Sequence, residues 1–250
     1  SLAGLLCYIA WEEKKKMSYF IGALGFSMVA PLFHELGIVT PLLFFVYRWT
    51  AGNSGPVRNM LKDVYHRILL LPIPVYLMVR FFAHSHWLSG DYNYNLIKLP
   101  FNAAGNAIGY GALTLFGPVS LPVYEVFRTL LREHAAIAAL LAAVVLIVLV
   151  FTYRKAAQCM KKDEMNIFLF GMFFFMVTLL PFLGLGNITS RYSYLASIGI
   201  LVLFMLFLKK FAAYISSNGR DIAVISTTLL VGLFSLMHIV ELQQIHSDWY

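Results

Sequence analysis

Eight apolar stretches make up more than half of the chain: residues 1–11, 17–33, 36–49, 65–83, 134–153, 165–185, 191–208 and 221–240. A helix needs about 20 mainly apolar residues to cross a bilayer, within a range of about 17–25. Most of the stretches meet that length. They are continuous rather than alternating, which is the pattern of a spanning helix and not of a barrel strand. One architecture follows: an all-α, polytopic helical membrane protein with about eight transmembrane segments. The charge content agrees, since only 12% of residues are charged and 60% are hydrophobic, against about 25% charged in a soluble domain. A soluble enzyme, a disordered chain and a disulfide scaffold are excluded. Cys7 and Cys159 have neither CxxC nor metal spacing and read as buried apolar residues.

Charge sets the expected orientation. With residues 12–16 inside and alternation from there, the inner loops hold Lys14, Lys15, Lys16, Arg48, Arg58, Lys62, Arg67, Arg154, Lys155, Lys161, Lys162, Lys209, Lys210 and Arg220. Only Arg80, Lys98, Arg128, Arg132 and Arg191 of the 19 basic residues remain outside. That bias is the positive-inside pattern. It explains the net charge of +7 as cytoplasmic anchoring and leaves nucleic acid without a role.

The outer loop 84–133 contains a semi-apolar piece, 99–121. If that piece crossed the membrane, Lys161, Lys162, Lys209 and Lys210 would all change sides. It is therefore expected to be re-entrant or to lie in the outer interface. Its glycines, with Asn102 and Asn106, suit close packing against other helices.

Polar residues then collect on the outer face. Pro31 and Pro41 flank a break at His34-Glu35-Leu36-Gly37, where freed carbonyls need protein, water or a ligand. Arg80, His84 and His86 close the fourth stretch and Asp91 follows. His66 is the one histidine placed inside. A carboxylate such as Glu35 costs about 2.5–3.5 kcal/mol in a membrane even on insertion scales, so it should be paired, solvated or neutral. Arg80 and Arg191 read either as headgroup-level anchors or as phosphate contacts. Arg191 opens a helix directly after an outer turn, where a guanidinium adds to the positive end of the helix dipole.

Three elements carry a resemblance. Phe33-His34-Glu35-Leu36-Gly37-Ile38-Val39-Thr40-Pro41 resembles the Lys-Glu-x-x-(aliphatic)-x-x-Pro element of the GT-C membrane glycosyltransferases. The likeness is to the transmembrane and tetratricopeptide-repeat O-mannosyltransferase family and its bacterial relatives. Arg191-Tyr192-Ser193-Tyr194-Leu195-Ala196-Ser197-Ile198-Gly199 is similar to their Glu-Arg-Tyr-Leu-Tyr-Leu-Pro-Ser-(Ile/Met)-Gly element. Phe101-Asn102 through Gly117-Pro118-Val119-Ser120-Leu121 resembles an asparagine-containing stretch of their long outer loop. His34 stands where the family has Lys, Ser190 where it often has Glu, and Ala196 where it has Pro.

The resemblance implies a sugar transferase on the extracytoplasmic face. Its donor is a polyprenyl-phosphate sugar and its acceptor a protein or glycan hydroxyl. Arg191 is then the donor-phosphate contact, with Tyr192 and Tyr194 nearby, Arg80 as a second contact and His34 as a third when protonated. Glu35 orients an arginine, joins a divalent metal or meets the sugar. Asn102 and Asn106 line a groove. The 250 residues then form a single transmembrane domain from a longer protein. Its catalytic base precedes Ser1, and tetratricopeptide repeats follow Tyr250. The expected location is the bacterial inner membrane, with the endoplasmic reticulum as the alternative. Two other classes stay open: a ligase or polymerase of lipid-linked glycans, and a non-enzymatic transporter or scaffold. A transporter would carry internal repeats, and none is evident.

Overall fold

The structure, a computed structural model, describes residues 1–51, 57–83, 99–117, 120–134, 160–185 and 192–216, with isolated positions among 136–158, at 188 and among 224–232. Among the described residues every regular element is helical. Three helices are long and apolar enough to cross a membrane: Val64–Phe82, Lys162–Leu183 and Ser193–Ala213. Met17–Phe33 is apolar but shorter. A helical membrane architecture holds at that level. Much of 134–153 and 221–240 lies outside the described residues, as do Arg191, His84, His86 and Asp91.

Helices α1 (Leu2–Lys14) and α2 (Met17–Phe33) form an antiparallel hairpin. One stripe of α1 is buried, Gly4, Leu5, Tyr8 and Trp11. It meets a matching stripe of α2, Phe20, Ala23, Ser27 and Pro31, each at helical spacing. The opposite side of α2 leaves Ile21, Phe26, Val29 and Leu32 exposed. An outward apolar face of this kind suits lipid rather than water.

The chain breaks after α2. His34 is extended, with φ of −156° and ψ of 139°. A 3₁₀ turn, Glu35–Val39, follows before α3 (Thr40–Thr50), which carries Pro41 in its first turn. Proline suits that position because the first N–H groups of a helix have no partner within it. The turn folds back onto α2 so closely that a Cβ at Gly37 would stand 2.2 Å from the Ala30 carbonyl carbon and 2.2 Å from the Pro31 nitrogen. Only glycine fits there. After α4 (Val57–Lys62), helices α5 (Val64–Leu69) and α6 (Pro72–Phe82) run on with one loosened turn at Leu70–Leu71. Pro72 sits in the first turn of α6, so the break falls where proline requires it.

The longest helices among the described residues, α9 (Lys162–Leu183) and α10 (Ser193–Ser216), pack antiparallel. They cross where Gly171 and Gly199 face each other. A Cβ on Gly199 would lie 2.6 Å from the Gly171 carbonyl oxygen, and one on Gly171 would lie 2.9 Å from the Gly199 carbonyl oxygen. Small residues at such a crossing let backbones approach, which is how helices associate without a hydrophobic drive between them. Between α6 and α9, α7 (Leu99–Phe116) and α8 (Ser120–Glu133) make a helical hairpin. It turns at Gly117, which takes a φ of 69°.

The helix directions sort the ends of the molecule. The end of α1, the end of α3, the start of α5, the start of α9 and the far part of α10 share one end. That end carries Lys14, Lys15, Arg48, Arg67, Lys162, Lys209 and Lys210. The 3₁₀ turn, the end of α6, the end of α9 and the start of α10 share the other.

Candidate functional site

At the Glu35 end, three segments bring charge together. His34 and Glu35 come from the break after α2, Arg80 from the last turn of α6, and Tyr194 from the first turn of α10. Arg80 Nη1 stands 4.0 Å from Glu35 Oε2. It also donates to the Tyr76 hydroxyl at 3.0 Å, one turn back on the same helix. The His34 ring meets the Tyr194 ring edge-on, with centroids 6.5 Å apart. His34 Nδ1 accepts from the Leu36 backbone N–H at 3.2 Å. That leaves Nε2 as the ring nitrogen placed to meet a ligand.

Glu35 and Arg80 are partly exposed, and neighbouring positions on the same two segments carry exposed apolar side chains: Leu32, Phe33, Phe81 and Phe82. Phe33, beside His34, is 86% exposed. The site is thus a charged pair bordered by surface suited to lipid chains.

Other residues singled out from the sequence are placed differently. Tyr192 is buried, stacked on Phe182 at 3.9 Å with the rings 7° apart. Asn106 is fully buried, and its Nδ2 donates to the carbonyls of Phe182, Leu183 and Leu185 at 3.2, 3.0 and 2.9 Å. Asn102 Nδ2 reaches the Gly184 carbonyl at 3.4 Å. Both asparagines therefore bind the end of α9. Among the described residues no group of three His, Cys, Asp or Glu side chains could hold a metal ion.

The opposite end holds a polar network whose contacts between segments no spacing in the sequence reveals. His66 is fully buried. Its Nδ1 lies 2.8 Å from Asp63 Oδ2, and its Nε2 lies 2.9 Å from the Tyr8 hydroxyl and 3.2 Å from Glu12 Oε1. Arg48 Nη1 donates to Glu12 Oε1 at 2.9 Å and meets the His66 ring. Lys15 closes on Glu12 Oε2 at 2.7 Å. Burial alone would raise the Glu12 carboxyl. Contacts with His66, Lys15, Arg48 and Tyr8 outweigh that and lower it to about 2. The network joins α1, α3 and α5 and is charge-balanced, Arg48 and Lys15 against Glu12 and Asp63. It reads as a clamp between helices.

No family model, no characterised protein and no solved structure matches the chain.

Proposed function

We propose that the chain belongs to an integral membrane glycosyltransferase of GT-C type. The donor is a polyprenyl-phosphate sugar and the acceptor a protein or glycan hydroxyl. The observation that carries the reading is the meeting of Arg80, Glu35, His34 and Tyr194 from three separate segments, beside exposed Leu32, Phe33, Phe81 and Phe82. A lipid-linked phosphate needs both parts: cationic and neutral donors for its oxygens, and apolar surface for its tail. Arg80 is assigned to the phosphate, with Glu35 holding its guanidinium and His34 donating from Nε2. As the sugar leaves, negative charge grows on the phosphate, and donors already in position stabilise it without reorganising. Arg191 joins the set on the resemblance alone.

On this reading the basic end is cytoplasmic and the Glu35 end is outward, in a bacterial inner membrane. The α7–α8 hairpin is then a re-entrant element. Two contacts favour that. Asn106 meets the end of α9, whereas Gly111, five residues on, lies against Phe175 near the middle of α9. Tyr124 on α8 is back beside Asn106, at 2.8 Å.

The test is binding of undecaprenyl phosphate to the full-length protein in nanodiscs. Arg80→Gln is expected to weaken it about 10- to 100-fold, the effect of losing a charged donor worth about 1.5–3 kcal/mol. Arg67→Gln, exposed at the basic end, should leave it unchanged. Equal affinity in all three proteins would refute the assignment of Arg80.

A further inference from the structure

The last carbonyls of α9 have no partners within the helix and must find them elsewhere. The α7–α8 hairpin supplies them. Asn106 donates to two of these carbonyls, those of Phe182 and Leu183, and to that of Leu185 just beyond the helix; Asn102 donates to that of Gly184, and Arg128 Nη2 reaches the Leu185 carbonyl at 3.4 Å. The Asn106 amide is itself oriented, because the Tyr124 hydroxyl donates to its Oδ1 at 2.8 Å. Tyr124 reaches that point by lying flat on Gly109, where a Cβ would stand 2.5 Å from the ring. Every hydrogen-bonding atom of Asn106 is thereby used inside the protein. Asparagine fits this place in a way that aspartate cannot, since a carboxylate has no hydrogens to donate to carbonyls.

Beyond this point a second chain of contacts begins. Phe182, whose carbonyl Asn106 holds, stacks its ring on Tyr192. Tyr192 leads directly into α10, and Tyr194 stands exposed against His34. The hairpin, the end of α9 and the start of α10 are thus joined by the buried Asn106 hydrogen bonds and the buried Phe182–Tyr192 stack, which lead to the exposed Tyr194 at the candidate site.

We infer that Asn106, oriented by Tyr124, is a positioning residue that sets Tyr194 and the start of α10 against the His34–Glu35 turn. Its meaning for donor binding rests on the function proposed above. The positional link itself does not. The hairpin acts on the site from outside it, and a change in how α7 sits on α9 alters the site without touching a ligand.

The experiment uses the full-length protein with its native cysteines, Cys7 and Cys159 among them, replaced and Tyr194→Cys as reporter, labelled by a water-soluble maleimide. Arg67→Cys, at the basic end, is the control reporter. Asn106→Asp is expected to speed labelling at position 194 about fivefold or more, because buried carbonyls lose their donors and the local contacts open. Tyr124→Phe, which removes only the hydroxyl, should give a smaller increase, and labelling at position 67 should not change. Unchanged labelling at position 194 in folded Asn106→Asp protein would overturn the inference and leave Asn106 as a helix cap only. Undecaprenyl phosphate added to the Asn106 parent tests the donor reading separately, since it should slow labelling at position 194. If it does not, while Asn106→Asp still speeds labelling, the positional link stands and the donor reading fails.

Discussion

A single methyl group at Gly37 is expected to unseat the turn that carries His34 and Glu35. In Gly37→Ala the new Cβ would stand 2.2 Å from backbone atoms of both Ala30 and Pro31. No rotamer change relieves a clash with backbone, so the 3₁₀ turn must move away from α2. Overpacking of this kind costs about 1–3 kcal/mol or more. The variant should unfold at lower temperature than the parent in a thermal assay on detergent-solubilised protein. Where it folds, it should also lose affinity for undecaprenyl phosphate, because Glu35 leaves Arg80. Gly25→Ala is the matched control. A Cβ there has nothing within 4 Å, and stability should hold or rise slightly, since alanine is the better helix former. Equal stability of the two alanine variants would contradict the close packing of the turn.

The second large effect lies at the other end. Arg48→Met leaves Glu12 and Asp63 beside buried His66 with one cation fewer. Losing one partner of a buried pair costs about 3–5 kcal/mol; partial exposure of Arg48 brings the expected loss to about 2–3 kcal/mol. Adding Glu12→Gln should restore part of it, because the two residues act as one unit. The network also fixes a pH dependence. Glu12 has its carboxyl lowered from 4.5 to about 2. Its contribution is therefore complete above 4.5 and is lost as pH falls through about 2. In Arg48→Met the carboxyl moves back up toward its unfolded value, so the acid loss still starts near 4.5 but should be smaller and level off at higher pH than in the parent. Thermal scans from pH 7 down to below pH 2 check both statements. Parallel curves would remove Arg48 from the clamp.

The parts of the molecule that could be read in advance are those with local causes. Long apolar runs announce membrane-type helices, and Pro31 and Pro41 mark the break that holds Glu35. Grouping by charge also needs only loop positions. The contacts that matter most cross long sequence distances and leave no period. Tyr8 and Glu12, Arg48, and Asp63 and His66 come from three segments; spacings of four and three residues pair the first two and the last two along a helix, but nothing in the sequence says that the three segments meet. Asn106 stands among alanines and glycines, where an amide reads equally well as a groove residue or a packing residue. Its partners are 76 to 79 residues away. Gly171 and Gly199 look like ordinary helix residues until their backbones are seen to touch. Tyr192 and Tyr194 differ only in the face of the chain they occupy, one buried on Phe182 and the other open beside His34.

In the function proposed above, the Glu35 end handles a lipid-linked sugar phosphate. The most direct measurement is transfer of labelled sugar from a polyprenyl-phosphate donor to a hydroxyl acceptor by the full-length protein in proteoliposomes. Transfer that falls at least about 10-fold in Arg80→Gln, as expected for loss of a charged donor, and persists in Arg67→Gln is the predicted result. Folded protein that transfers no sugar from such donors, or that transfers equally well without Arg80, would contradict it.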